Sequence, residues 1–153
     1  MVTQQEQHAA GDEWLASCAE NPDLAREAWE FGALAPIRTG KQWLAAEAPL
    51  ATVLIAMNRI PALRRGPTLV DPSIDLAWWL VPLAGSEECF RHVDVVTVHS
   101  IGWPLLCPPT GRPLCNRFWV NWPDGSGHLT DPVQLAAVLG IGGGPRLPAE
   151  AYR

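Results

Sequence analysis

The sequence predicts an α+β fold: a single domain in which a mixed or mostly antiparallel sheet of four to five strands packs against three to four helices. Three observations carry this expectation. Helical periodicity clusters ahead of residue 60 and returns after Asp131. Between them, from Gly66 to Trp122, short apolar runs follow one another with Gly or Pro at each break. Finally, 48% of the 153 residues are apolar, enough for one sizeable core and far more than a disordered chain carries.

The elements follow in order. Trp14, Leu15 and Cys18 share one face of a helix placed near residues 12–19. Asn21 and Pro22 then supply a cap and a first helical residue for a second helix, whose apolar positions are Leu24, Ala25, Ala28, Trp29 and Phe31 and which ends near Gly32. Residues 12–32 thus read as a helical pair. A turn is expected around Pro36 to Gly40, a short strand over residues 42–47, and after Pro49 a helix over residues 50–60 that is well buried or lies across a sheet. Strands are expected at residues 68–70, 76–81, 93–98 and 118–121, with GWPLLCPP read as a connection. Asp131 caps a last helix that starts at Pro132 and ends before Gly140. The α+β core therefore spans residues 41–139, and residues 140–153 read as a surface tail.

Charge and hydropathy narrow the function classes. Sixteen acidic residues outnumber 11 basic ones, for a net charge of -5, which argues against a broad nucleic-acid footprint. No uninterrupted apolar run approaches membrane-spanning length, and the polar start lacks the pattern of an export signal, so a cytoplasmic location is expected. Cys18, Cys89, Cys107 and Cys115 are too sparse for a disulfide scaffold.

The succession GPTLVDPSIDLAWWLVP, VTVHSIGWPLLCPP, RFWVNWPDGSGHLTDP and a closing LAAVL resembles a group of small uncharacterised actinobacterial, especially streptomycete, proteins. Some of these have been linked to bifunctional DNA primase/polymerase-like proteins. The resemblance covers roughly residues 31–139 and implies the same α+β fold and a cytoplasmic actinobacterial protein. It implies no measured activity. Phosphoryl transfer by a polymerase needs several carboxylates converging on divalent cations. Here Asp71 and Asp75 are separated by a turn, and Asp94 stands alone in VDVV, so these carboxylates read as turn caps and local polar contacts. A degenerate domain that keeps scaffold or partner-binding properties fits better.

No other motif names a reaction. Cys107 and Cys115, with Cys89, His92 and His99 near in sequence, have metal-ligand chemistry but lack the close Cys pair of structural zinc sites, so no metal or other cofactor is expected. A cysteine nucleophile beside His99, with Asp94 orienting the base, has no visible oxyanion site. Gly125-Ser126-Gly127 and Gly142-Gly143-Gly144 lack the lysine and hydroxyl residue of a phosphate loop. What remains is eight tryptophans. On alternating strands Trp78 and Trp79 point to opposite faces, so some aromatic area should lie outside the sheet core unless other elements cover it. The expected interaction surface is Trp79, Trp103, Trp119 and Trp122 flanked by Arg112 and Arg117. The expected function is a non-catalytic scaffold or protein-interaction domain, its partner another protein or a second copy in a homodimer. The competing expectation is a divergent small-molecule or nucleotide-handling enzyme with an arginine-lined pocket and His99 or Asp94 in proton transfer.

Overall fold

The computed structural model describes residues 1–139, so the expected tail at 140–153 lies outside the described residues. The chain folds as one α+β domain with helices α1 (Gln4–Ser17), α2 (Pro22–Glu30), α3 (Leu50–Arg59), α4 (Ser86–Cys89) and α5 (Pro132–Leu139). Its strands are β1 (Ala35–Arg38), β2 (Leu44–Pro49), β3 (Thr68–Asp71), β4 (Leu76–Val81), β5 (Thr97–Val98), β6 (Pro104–Cys107) and β7 (Phe118–Asn121). A five-stranded antiparallel sheet runs in the order β5-β2-β4-β3-β7, and β1 pairs antiparallel with β6 in a separate ribbon. Among the described residues no helix is long and apolar enough to cross a membrane.

The sheet is covered on both faces, which explains how adjacent tryptophans in β4 are both buried. On one face Trp78 joins Trp43, Leu69, Leu80 and Trp119 beneath α1, α2 and the β1–β6 ribbon, which contribute Leu15, Trp29, Ile37 and Leu105. On the other, Trp79, Val70 and Val81 pack against Val53 and Met57 of α3 and Leu135 of α5. The alternating pleat thus sends consecutive side chains into two cores, each isolated from water.

Several expected boundaries move, for physical reasons. The first helix begins at Gln4 rather than near Asp12, because Thr3 and Glu6 form a reciprocal capping box and the polar residues that follow are good helix formers. Gly11 inside this helix permits close docking: a β-carbon there would meet the Pro123 carbonyl oxygen at 2.0 Å. Asn21 and Pro22 start α2 as expected, the Asn21 side chain accepting from the amides of Asp23 and Leu24. Strands β1 and β6 replace the expected turn and connection. Pro36 lies in an edge strand and Pro104 opens its strand, two places where a missing amide proton is tolerated. The strand expected over residues 93–98 shortens to Thr97–Val98; Val93 and Val96 instead bury from turns into the α3-side core.

A candidate interaction site centred on Trp78

Antiparallel register places Thr97, Glu47, Trp78, Leu69 and Trp119 in one row across all five strands. Cross-strand partners share a face, so Glu47, in the otherwise apolar strand LAAEAP, enters the row beside Trp78. A carboxylate there must find donors or face water. Its Oε1 accepts from the Trp78 indole Nε1 at 2.8 Å and meets His99 Nε2 at 3.0 Å. The side chains of Glu47 and His99 are 23% and 19% exposed, so the pair is neither sealed nor freely solvated. An ionised carboxylate only accepts, so Nε2 donates; in the neutral imidazole Nδ1 is then the acceptor. Among the described residues, Glu47 Oε2 and His99 Nδ1 have no protein partner.

The chain beyond His99 holds it in place. The His99 amide donates to the Ala45 carbonyl at 3.0 Å, and the imidazole stacks on Trp103 with ring centroids 3.7 Å apart and planes within 4°. Gly102, at φ 94, reverses the chain between them. Thr39 ties this turn down by backbone bonds to Gly102 and Trp103, and its hydroxyl donates to the Ser100 carbonyl. Ile101 at the tip stays 71% exposed.

On the other side of Trp78 the cation is Arg117. Its guanidinium carbon sits 4.5 Å from the Trp78 ring centroid, Nε donates to Asp71 Oδ2 at 3.0 Å, and Nη1 donates to the Leu106 carbonyl at 2.9 Å. A two-residue hairpin delivers it: Leu114 and Arg117 exchange backbone bonds around Cys115 and Asn116, both at positive φ, the arrangement that matches strand twist. Asp71 is buried, and its Oδ1 accepts from the Ser73 amide at 3.0 Å and hydroxyl at 2.5 Å. Burial pushes the Asp71 carboxyl up, but the Ser73 donors and the Arg117 guanidinium outweigh it and hold the group below the ordinary carboxylate range. The result is a continuous line, Asp71–Arg117–Trp78–Glu47–His99–Trp103, along the margin of the core.

Of the residues expected to form one aromatic surface, the line includes Trp103 and Arg117. Trp79 and Trp119 are buried in opposite cores, the latter donating its indole proton to the Pro108 carbonyl at 3.0 Å; alternation of the pleat separates them. Trp122 packs half-buried against His8 with ring centroids 4.5 Å apart. It borders a groove of about 660 Å³ lined also by Leu63, Arg65, Asn121, Asp124 and His128. Arg112 donates to the Trp29 carbonyl at 2.6 Å, so it clamps α2 instead of joining Arg117 in an anion pocket. The four indoles therefore do not compose a single face.

The expected proton-transfer partners also separate. Asp94 is exposed in the turn region before β5, and the carboxylate on His99 is Glu47. Burial raises the Cys107 thiol well above its ordinary range, with Cys18 raised by the same cause, so neither supplies a thiolate at neutral pH. Cys115 is exposed at the hairpin tip. Among the described residues no group of three His, Cys, Asp or Glu side chains is placed to hold a metal ion. Asp75 turns the chain between β3 and β4 at φ 57, and the Asp124 carboxylate caps the Gly125-Ser126-Gly127 loop by accepting from the Ser126 amide at 2.9 Å. Gly142-Gly143-Gly144 lies outside the described residues.

Sequence reasoning missed Glu47, Trp78 and Asp71 as site members. The available signal was a lone glutamate in an apolar strand, a local inconsistency of the kind that functional sites introduce. No protein-family model, curated protein or solved structure matches the chain.

Proposed function

We propose that this chain is a protein-interaction domain whose contact face is the margin around Trp78, with Trp103, His99 and Arg117 as its fixed elements and the exposed side chains of Ile101 and Leu106 beside them. The observation that carries this reading is the line of contacts just described: it immobilises an indole, an imidazole and a guanidinium at a partly exposed surface before any partner arrives. Trp and Arg are the residue types that most often dominate binding energy, and a face already ordered avoids much of the entropy cost of association. The carboxylates of the expected primase/polymerase-like resemblance add no reaction to this reading, since Asp71 is engaged by Arg117 and Asp75 and Asp94 sit exposed in turns.

The test is comparative capture. Proteins cross-linked to the native chain in cell extract are compared with those cross-linked to Ile101→Glu, a change at an exposed tip expected to leave the melting temperature unaltered. A partner, or a second copy of the chain, that disappears in the variant supports the proposed face. An identical set of partners contradicts it.

The enzymatic alternative has one observation in its favour, the Glu47–His99 pair, in which a carboxylate orients an imidazole and leaves Nδ1 as a base. It requires a small molecule bound against Nδ1, which would appear as a saturable change in the His99 ring resonances during ligand screening.

A further inference from the structure

Among the described residues, Glu47 is faced by ring N–H donors and by no recorded lysine or arginine. Arg117 is paired with Asp71 at 3.0 Å, and Arg38, which donates to the Gly102 carbonyl, reaches Glu20 at 3.8 Å. Glu47 has instead two ring N–H donors, both on Oε1, one from Trp78 and one from His99. With His99 neutral, the carboxylate retains its full negative charge. Its second oxygen has no partner among the described residues, and its side chain is 23% exposed. Half-burial makes this an expensive place for an unmatched anion, because water solvates it only in part. Glu47 is linked to an aromatic stack through His99, on whose ring Trp103 lies. A carboxylate oxygen next to an indole is the pairing that recognises an organic cation, one group supplying charge and hydrogen bonding and the other a polarisable face. The chain as a whole carries a net charge of -5, which favours approach of a basic partner.

We propose that Glu47, one hydrogen bond away from the imidazole on which Trp103 stacks, is a recognition site for the guanidinium or ammonium group of an arginine or lysine side chain presented by a partner polypeptide. This inference rests on the interaction reading given above and names the chemistry of the partner. The Trp78 and His99 hydrogen bonds act on it indirectly: both fall on Oε1, so they hold the carboxylate in place and leave Oε2 available to an external donor. His99 is thus a positioning residue, holding both Glu47 and the Trp103 ring.

The register supplies a test that does not depend on removing Glu47. Thr97 is its exposed cross-strand partner in β5. Thr97→Lys would place an internal ammonium beside the carboxylate and compete with any external cation. The probes are N-acetyl-argininamide, N-acetyl-lysinamide and, as the neutral control, N-acetyl-glutaminamide, followed through the indole N–H resonances of the eight tryptophans. The native protein is expected to show saturable shifts confined to Trp78 and Trp103 with the two cationic amides and none with the neutral one. Glu47→Gln, which keeps an oxygen for Trp78 and His99 but removes the charge, and Thr97→Lys should each weaken binding about tenfold or more, equivalent to about 1.4 kcal/mol. The melting temperature of Thr97→Lys serves as the check that the fold is intact. Absence of saturable shifts with the cationic amides, equal response to the glutamine analogue, or native-like binding by a folded Thr97→Lys variant would each overturn the proposal. If the cationic amides fail while capture still depends on Ile101, the cation is wrong and the interface stands; capture indifferent to Ile101 removes the interface itself.

Discussion

Replacing Arg117 by methionine should expose how much the Trp78 margin depends on its ion pair. The Arg117 and Asp71 side chains are 13% and 7% exposed, so solvent screens the pair only weakly. Removing the arginine leaves the Asp71 carboxylate buried with its Ser73 donors alone. Breaking a buried pair from one side costs about 3–5 kcal/mol, and the lost stacking on Trp78 adds about 0.5–2 kcal/mol. The retained Ser73 bonds and the apolar stem of methionine offset part of this, so we expect a net loss of about 3 kcal/mol, or roughly 6–12 °C in melting temperature for a chain of this length. Asp71→Asn combined with Arg117→Met should be less costly than the sum of the two single changes, with a coupling energy of about 2 kcal/mol. The assay is urea unfolding followed by tryptophan fluorescence. The sign of the pH dependence is fixed by Asp71, whose folded carboxyl titrates below its unfolded value of about 3.9. Its contribution is present in full above that unfolded value and is lost as pH falls through the lower folded one. The gap between the native protein and Arg117→Met should therefore be widest at neutral pH and narrow below about pH 4. A loss under about 1 kcal/mol at neutral pH, or singles that simply add, would refute this account of the pair.

Three further outcomes follow from packing and exposure. Gly11→Ala should destabilise the protein by about 1–3 kcal/mol in the same unfolding assay despite alanine's better helix propensity, because the new methyl meets the Pro123 carbonyl oxygen at 2.0 Å. Trp79→Ala should cost about 3–5 kcal/mol, since its ring is buried among Val53, Met57 and Leu135, and a melt little changed from the native protein would contradict its placement. Under native conditions a thiol reagent should modify Cys115 rapidly while Cys18 and Cys107 react only on unfolding; fast labelling of Cys107 would contradict its burial.

Local chemistry made much of the fold legible, and long-range pairing hid most of the site. Caps at Asn21 and Asp131 and the breaks around β3, β4 and β7 are written in adjacent residues, so the corresponding elements lie where the sequence places them. The β1–β6 ribbon was obscured because Pro36 and Pro104 are breakers in most contexts, and their tolerance depends on being at an edge or a strand start. The aromatic surface failed as a unit for a different reason: whether a strand tryptophan is exposed depends on whether the second face is covered, and α3 and α5 cover Trp79 from distant parts of the chain. Glu47 meets Trp78 and His99 across separations of 31 and 52 residues, a convergence set by the order β5-β2-β4. His99 and Arg117 were nominated as functional, but their partners, Glu47 and Asp71, appear only once that sheet is assembled.

The most direct test of the Trp78-centred site is the indole region of the ¹H–¹⁵N spectrum, recorded for the native protein and for Glu47→Leu. The account predicts a large displacement of the Trp78 Nε1 resonance as its 2.8 Å bond to the carboxylate is lost, a smaller one at Trp103 as the His99 stack loosens, and unmoved signals from Trp14 and Trp122. A Trp78 indole resonance that stays in place would contradict the contact on which the whole face depends.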